Sequence, residues 1–261
     1  MPRLLTAIAI LAVAFIAFTR STVGEGDYKL YLPVVHKNYN STPGFYLISH
    51  SQYATLPYVY TVGEILNHTS QTAYDMKVAV IFYDASQQVV GYHYSFAHYR
   101  AVTPEMKTPF LVRVQLTSSA TTYSIAMSYD TSSSWIYIHD LAIVNASGYR
   151  NSFDTYRVVG EIRNDTPQAW QDVRSIVTLY DSSYVVVDAG YNDATYTDLA
   201  PGEVSPFFNQ FLGAHLQSVT RYVIGVEGRR PSGSQVQALD GGPIEVELGS
   251  FALKVQRSIF P

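Results

Sequence analysis

Apolar and polar residues alternate along this chain in short runs, the pattern of half-buried β-strands. From Met76 to Phe82 every second residue is large and apolar, with Lys77 among the residues between them. Such runs, rich in β-branched and aromatic residues, recur about every 8–12 residues between Pro-, Gly-, Ser- and Asp-rich turns. No stretch shows a helical period with caps. The pattern therefore predicts an all-β protein, built as a sandwich or a barrel.

The pattern occurs twice in the chain. Residues 62–110 align without a gap to residues 159–207 at an offset of 97, and twenty of the forty-nine aligned pairs are identical. A repeat of this length has the size of one immunoglobulin-like sandwich, about 100 residues. We therefore expect two tandem immunoglobulin-like antiparallel β-sandwiches, at 44–133 and 134–232.

Each copy indicates its own core and turns. Alternation places four large residues on the apolar face of their strands, and we expect them in the two cores: Phe82, Phe110, Leu179 and Phe207. Two aspartates that close strands are expected to bind turn backbone with their side chains: Asp84 and Asp181. Four asparagines begin Asn-x-Ser/Thr triplets, and we interpret them as turn residues: Asn40, Asn67, Asn145 and Asn164.

The first 24 residues do not resemble a folded domain. Arg3 precedes an apolar run at 4–18, the pattern of a secretory signal. About 15 residues at ~1.5 Å each fall short of the ~30 Å of a bilayer core. We expect residues 1–24 to be a signal peptide or membrane anchor and 25–43 a linker. This predicts an extracellular or cell-surface protein, touching a membrane only through an uncleaved N-terminal segment.

Composition removes several classes of function. The formal net charge is −4, so no basic field exists for nucleic acid. The absence of Cys excludes disulfides, thiolate metal sites and a Cys nucleophile.

A Gly-, Pro- and Ser-rich break follows the second copy, and we expect residues 233–261 to form a C-terminal β-hairpin or tail.

The two copies resemble the FxLYD family of bacterial and archaeal extracytoplasmic domains. The motifs that carry the resemblance are clearest in the second copy: Val159-Gly160-Glu161-Ile162 with Asn164, Leu179-Tyr180-Asp181, and Pro201-Gly202-Glu203 with Phe207. The first copy departs from them at Glu105, which stands where the second has glycine. The resemblance covers about 70 residues of each copy, and it implies an immunoglobulin-like fold without known catalytic residues.

No catalytic or metal motif accompanies this fold. The seven histidines lack metal-ligand spacing, and Glu64 and Glu161 occupy one place in both copies, which favours a structural role. We therefore expect a non-enzymatic protein with no catalytic, cofactor-binding or metal-binding residues. A small secreted hydrolase is the less favoured alternative, because it needs Asp, Glu or His converging in one cleft.

Aromatic residues outside the shared plan are the candidates for ligand binding. Tyr92, Phe96 and His98 have no aromatic counterpart in the second copy, whereas Tyr94 recurs as Tyr191. The candidates are Tyr92, Tyr94, Phe96 and His98 on one strand, and Trp170, which aligns with an alanine, on a loop. The alternative is that they pack at a domain contact or an edge.

These patterns predict a cell-surface binding, adhesion or assembly module with an unknown protein or glycan partner. The alternative is a carbohydrate-binding module whose exposed aromatic rings stack on sugars.

Overall fold

A computed structural model describes residues 44–151, 154–231 and 244–247, with the backbone alone at 231 and 244–247. Fifteen strands and a short 3₁₀ helix, Ala214–Ser218, lie within these ranges. The predicted signal peptide (1–24), the linker (25–43) and most of the C-terminal segment (233–261) lie outside the described residues. Nothing helical in the described ranges has the length and apolar character needed to cross a bilayer.

The first sandwich is built from seven strands, all paired antiparallel. One sheet has the order β1-β2-β6, and in the other β3 pairs with β4, β5 and β7. The strands are β1 (Phe45–Thr55), β2 (Tyr58–Asn67), β3 (Ala73–Tyr83), β4 (Val89–Phe96), β5 (Ala101–Val102), β6 (Lys107–Gln115) and β7 (Thr122–Asp130).

The second sandwich repeats this plan with two additional strands, β8 and β15, and with the single bridge Trp170–Leu199 in place of the β5 pairing. One sheet has the order β13-β10-β9, and the other has the order β12-β11-β14-β15, with β8 also paired to β14. The strands are β8 (Trp135–Ile138), β9 (Ala142–Arg150), β10 (Thr155–Arg163), β11 (Gln171–Tyr180), β12 (Val186–Asp193), β13 (Val204–Leu212), β14 (Arg221–Pro231) and β15 (Ile244–Glu247). β15 comes from the predicted C-terminal segment, so that part of it joins the second sandwich. The predicted all-β class and tandem antiparallel sandwiches are confirmed.

Strand register explains the glycine in the repeated Val-Gly-Glu motif. Gly63 lies opposite Phe110, and Gly160 lies opposite Phe207. A Cβ on Gly63 would approach the Phe110 ring to 2.8 Å, and one on Gly160 would approach the Phe207 ring to 2.7 Å. The glycine therefore leaves room for a core phenylalanine from the neighbouring strand, at the same place in both sandwiches.

The predicted core residues lie in two separate cores. Phe82 and Phe110 are buried in the first, and Leu179 and Phe207 in the second, as expected. The first core also takes in Ile176 from the second sandwich. That contact shows that the sandwiches pack directly on each other.

The motif asparagines and aspartates organise turns, as predicted. The Asn67 amide donates to the carbonyls of Gln71 and Val102, at 2.9 and 2.7 Å, and its side-chain oxygen accepts from Thr69. Asn164 makes the matching bonds in the second copy. Asp84 and Asp181 each accept two turn N–H groups. Asn145 instead lies in β9, exposed, and Asn40 lies outside the described residues.

Phe207→Ala should destabilise the second sandwich by about 3–5 kcal/mol, because a buried ring leaves a cavity on truncation. Phe208→Ala is the matched control: it is the next residue on β13, on the opposite, solvent-facing side. Its unfolding midpoint in denaturant should stay near that of the parent. If the two substitutions lowered the stability equally, the Phe207 side chain would not lie in the core where we place it.

Candidate functional site

Strand β4 carries exposed aromatic side chains along one edge of the first sandwich. Among the described strands it pairs with β3 alone, so it is an edge strand of its sheet, and its Val90 carbonyl accepts the backbone N–H of Thr117. Tyr92, Tyr94 and Phe96 are 55%, 45% and 38% exposed. Period-two alternation puts all three on the outer face of the sheet. We call these three residues the aromatic strip.

The strip lies beside residues of β3 on the outer face of the sheet. Tyr92 lies opposite Ile81 and Tyr94 opposite Ala79 on β3. At one end, Lys77 Nζ lies 5.6 Å and the Arg100 guanidinium 4.9 Å from the Phe96 ring centroid. These cation–π contacts hold the Phe96 ring in place while leaving its neighbours free.

The strip ends at a cleft between the two sandwiches. The cleft has a volume of about 440 Å³, and its lining includes Phe96 and His98 from the first sandwich with Arg174 and Tyr191 from the second. Tyr191 is the counterpart of Tyr94, and the Arg174 guanidinium lies 4.8 Å from its ring centroid. The cleft thus combines aromatic rings with a fixed positive charge.

The candidate residue His98 does not lie on the exposed face that carries the aromatic strip. β4 ends at Phe96, so strand alternation no longer applies two residues later, and the His98 side chain turns inward and is buried. Its ring meets Tyr191 edge-on at 5.3 Å, and its carbonyl accepts a 2.6 Å bond from Arg174 Nη2. Neither ring nitrogen has a hydrogen-bond partner of normal geometry. His98 is therefore a buried polar group on the cleft wall.

Burial lowers the pKa of His98 to about 4. The nearby Arg174 charge acts in the same direction, and the backbone of Ala189 acts against both. The ring is consequently neutral at physiological pH. A neutral imidazole can donate one hydrogen bond through one ring nitrogen and accept one through the other.

The expectation that Trp170 is an exposed binding residue is wrong. Its side chain is 2% exposed, its indole N–H donates to Thr166 Oγ1 at 2.8 Å, and its backbone bridges to Leu199. Ala73, its counterpart, is buried in the first sandwich as well. The position belongs to the core in both copies, and the larger ring fills the second core.

A buried carboxylate, missed by the sequence analysis, joins the two sandwiches. Glu227 on β14 pairs with Arg174 on β11, directly opposite it in register. The other Glu227 oxygen accepts the backbone N–H groups of Arg100 and Ala101 in the first sandwich, at 2.8 and 3.2 Å. His139 Nε2 lies 3.4 Å from the same oxygen. The carboxylate is thus shared between a cation in its own sandwich and the backbone of the other.

Glu227 is charged in this setting. Burial by itself raises the pKa of its carboxyl, but His139, Arg174 and the Ala101 N–H outweigh burial and hold that pKa below its usual value. A group of this kind stabilises the fold above its unfolded pKa and loses that contribution as the pH falls through the folded one.

The motif residues of the two copies also meet at this junction. The Tyr180 hydroxyl donates to Glu64 Oε1 at 2.7 Å, so the structural role predicted for Glu64 is confirmed. Next to this bond lies a small apolar cluster of Val62, Tyr180, Val186 and Ala189, with Tyr53, Leu111 and Val223 at its margin. The Tyr53 ring stacks on His215 at 3.6 Å.

Tyr99 completes the junction by lying over a glycine. A Cβ on Gly225 would be 1.4 Å from the Tyr99 hydroxyl oxygen, so only glycine leaves room for it there. Tyr99 is buried by this contact and meets the His139 ring edge-on at 5.2 Å.

A second cleft, of about 370 Å³, is lined by Arg100, Arg174 and several carboxylates. Two of those carboxylates are held in ion pairs, Asp75 with Arg100 at 3.0 Å and Asp172 with Arg229. Within the part of the chain that the structure describes, no cluster of three or more His, Asp or Glu could hold a metal ion. The geometry is that of a salt-bridged seam.

No family model matches the chain, and no curated protein matches it. Solved structures resemble it weakly. The exo-chitosanase of Amycolatopsis orientalis is 12% identical over 70% of this chain and 26% of its own, with a TM-score of 0.26. Red sea bream transglutaminase is 9% identical over 69% of this chain and 28% of its own, with a TM-score of 0.22. This chain thus spans about a quarter of those proteins.

A tandem of two CBM22 domains from Paenibacillus barcinonensis Xyn10C is comparable in length. It is 10% identical and covers 84% of this chain and 94% of its own, with a TM-score of 0.21. Similarities at this level carry no inference about ligand or activity, so the argument for function depends on the site itself.

His98→Gln should flatten the loss of stability on acidification. The His98 pKa is about 4 in the folded protein, below the usual 6.5. The contribution of the neutral ring to the free energy of unfolding is therefore complete above pH 6.5 and is lost as the pH falls from 6.5 to 4. Over that window the effect is roughly 3 kcal/mol. The measurement is the denaturant midpoint at several pH values. His93→Gln, an exposed histidine on β4, is the control and should keep the parent slope.

Gly225→Ala should weaken the junction by about 1–3 kcal/mol, since the new methyl group displaces the Tyr99 phenol. The two sandwiches should then unfold as two resolved calorimetric transitions. In a Tyr99→Ala background the same substitution should cost almost nothing further, because the clash is gone. Additive costs would mean that Tyr99 does not pack on Gly225.

Proposed function

We propose that the protein is an exported, non-enzymatic binding module whose recognition surface is the aromatic strip. The observation that carries the proposal is the exposure of Tyr92, Tyr94 and Phe96 side by side on an edge strand. Exposed apolar patches of this kind mark interaction sites on soluble domains. Aromatic side chains also supply much of the binding energy at such sites, at a low entropy cost.

Binding is favoured over catalysis by the state of the charged groups. Three of the four carboxylates of the second cleft are held: Asp75 and Asp172 are in ion pairs, and Glu227 accepts from four groups. A hydrolase needs a carboxylate or imidazole that is free to move a proton at a reacting atom. The proposal includes export through residues 1–24, a place at the cell surface and membership of the FxLYD-type domains.

A carbohydrate is the second candidate ligand, and the cleft at the end of the strip favours it. Sugars are bound by aromatic rings that stack on their apolar faces and by polar groups that bond their hydroxyls. Tyr94, Phe96 and Tyr191 provide the rings, and the neutral His98 ring on the cleft wall provides a buried polar group. A glycan chain lying along β4 would reach the cleft at Phe96.

Removing two rings of the strip should abolish recognition without affecting the fold. Tyr92→Ala with Phe96→Ala should lower affinity in a glycan screen or a pull-down of surface proteins at least about tenfold, the scale of lost hot-spot residues. The unfolding midpoint should stay within about 0.5 kcal/mol of the parent, as for surface substitutions.

The matched control removes two other exposed apolar side chains from the same sandwich. Tyr46 and Ile48 lie on β1, away from β4, and Tyr46→Ala with Ile48→Ala should bind as the parent does. A double variant of the strip that still bound the parent's ligands at full strength would locate the binding surface elsewhere.

A further inference from the structure

The junction between the sandwiches joins two different faces. The first sandwich contributes the outer face of β1-β2-β6, which we call the acceptor face. The second contributes the outer face of β12-β11-β14, which we call the donor face. Because the chain is a duplication, each sandwich has both faces. The internal junction uses one of each, which leaves an acceptor face on β9-β10-β13 and a donor face on β4-β3-β7.

The free acceptor face repeats the apolar residues of the used one. In the used face, Val62 pairs with Leu111 across β2 and β6, and Tyr53 pairs with Tyr60 across β1 and β2. The same register positions in the second sandwich hold Val159, Phe208 and Tyr149, with Arg157 in the place of Tyr60. Phe208 and Tyr149 are exposed there, whereas Val62 is fully buried by the junction.

The free donor face of the first sandwich repeats apolar residues of the donor face that the junction uses. Val186 is 0% exposed at the junction, and its counterpart Val89 is 59% exposed. Tyr180 packs in the same cluster, and its counterpart is Tyr83. Exposing the apolar side chain of Val89 to water costs free energy that burial in a contact would recover.

The hydrogen-bonded pair of the junction also has counterparts on the free faces, although the Tyr83 hydroxyl already lies within hydrogen-bond distance of Ser124 Oγ, at 3.2 Å. Tyr180 and Glu64, which bond to each other, are the Tyr and Glu of the two repeated motifs. Their counterparts, Tyr83 and Glu161, lie on different sandwiches, one on each free face. The only described bond of the Glu161 carboxylate is an exposed one, accepted from Asn145 at 2.7 Å.

Tyr99, which packs at the junction, also has an exposed counterpart. Tyr99 is 4% exposed because it lies over Gly225 and near Ile176, whereas its counterpart Tyr196 is 64% exposed. On the free donor face the two receiving positions are Ala126 and Ala79, which pair with each other across β7 and β3. Ala126 carries a methyl group where Gly225 has none, so Tyr196 cannot lie as close to β7 as Tyr99 lies to β14, and this contact is weaker than the one at the internal junction.

We propose that the free donor face of the first sandwich binds the free acceptor face on the second sandwich of another copy of this chain. This rests on the proposed function, since it names a partner for the surface around Val89 and Tyr92. The contact is head to tail, so it does not close on itself and extends into a filament. It is weaker than the internal junction, because the free donor face has Lys77 and Ser128 at the positions of Arg174 and Glu227 and so lacks the shared carboxylate. The internal junction also has the contacts of Asp188 with Tyr53 and His215 and needs no second molecule.

Engineered cysteines test the geometry cleanly, because the chain has none. At the junction, Ser51 Oγ donates to the Val186 carbonyl at 2.6 Å. The counterparts of these residues are Ser147 and Val89. A mixture of the Val89→Cys and Ser147→Cys proteins should cross-link to dimers under mild oxidation, at least about tenfold faster than either protein alone. The double variant should give a ladder of oligomers.

Two controls fix the interpretation. Ser51→Cys with Val186→Cys should close a bridge within one chain, which shows that the template geometry permits a disulfide. Phe208→Asp on the Ser147→Cys protein should slow cross-linking at least about tenfold. Leu212→Asp should not, because Leu212 is an exposed residue on the same strand whose counterpart, Gln115, stays exposed at the internal junction.

Two results would overturn the proposal. One is equal cross-linking of each single variant with itself, which indicates a face-to-itself contact. The other is no cross-linking in the mixture while the Ser51→Cys, Val186→Cys bridge forms. If a glycan or surface protein still bound the aromatic strip in that second case, the binding function would stand and only self-assembly would fail. If the strip bound nothing while the mixture cross-linked, the reverse would hold.

Discussion

The orientation of the two sandwiches depends on one buried carboxylate. Glu227 must bind Arg174 and the backbone N–H groups of Arg100 and Ala101 together, because a buried carboxylate that lacks its partners costs several kcal/mol. A buried ion pair adds little net stability compared with apolar packing, yet it selects one arrangement over others. These donors come from both sandwiches, so a docking angle that separated the faces would leave the carboxylate without some of its partners.

The observed docking angle decides which surfaces are left for function. It covers the acceptor face of the first sandwich and the donor face of the second, and it closes the cleft around His98 between them. It leaves β4 at the edge of its sheet, with the aromatic strip exposed. The recognition surface is therefore a consequence of the junction, and not only of the residues on β4.

Local periodicity was sufficient to predict the fold, because strand faces are set by alternation within single runs. The core phenylalanines, the turn aspartates and the repeat followed from it. Trp170 was misplaced because its polar neighbours resemble a loop, although it aligns with Ala73, which the fold also buries. His98 was misplaced because alternation was carried two residues beyond the end of β4.

The junction could not be predicted in the same way. Glu227 and Arg174 are far apart in sequence and meet only through the register of β11 with β14, which no local pattern specifies. The motif bond between Tyr180 and Glu64 joins residues of different copies. Alignment of the copies showed that these residues recur, but recurrence alone does not distinguish a residue of the core from one that touches the neighbouring domain.

Ligand binding and self-assembly do not compete for the whole strip. At the internal junction Tyr191 remains 50% exposed and Asp193 is exposed, although Val186 and Ala189 nearby are buried. Tyr94 and Phe96 occupy the same positions on the free donor face as Tyr191 and Asp193. A junction between chains built like the internal one would therefore cover Val89 and the neighbourhood of Tyr92, and would leave Tyr94 and Phe96 open to solvent. A head-to-tail filament would then display one pair of exposed rings per chain at a regular spacing, an arrangement in which weak individual contacts to a repetitive glycan add up through multivalency.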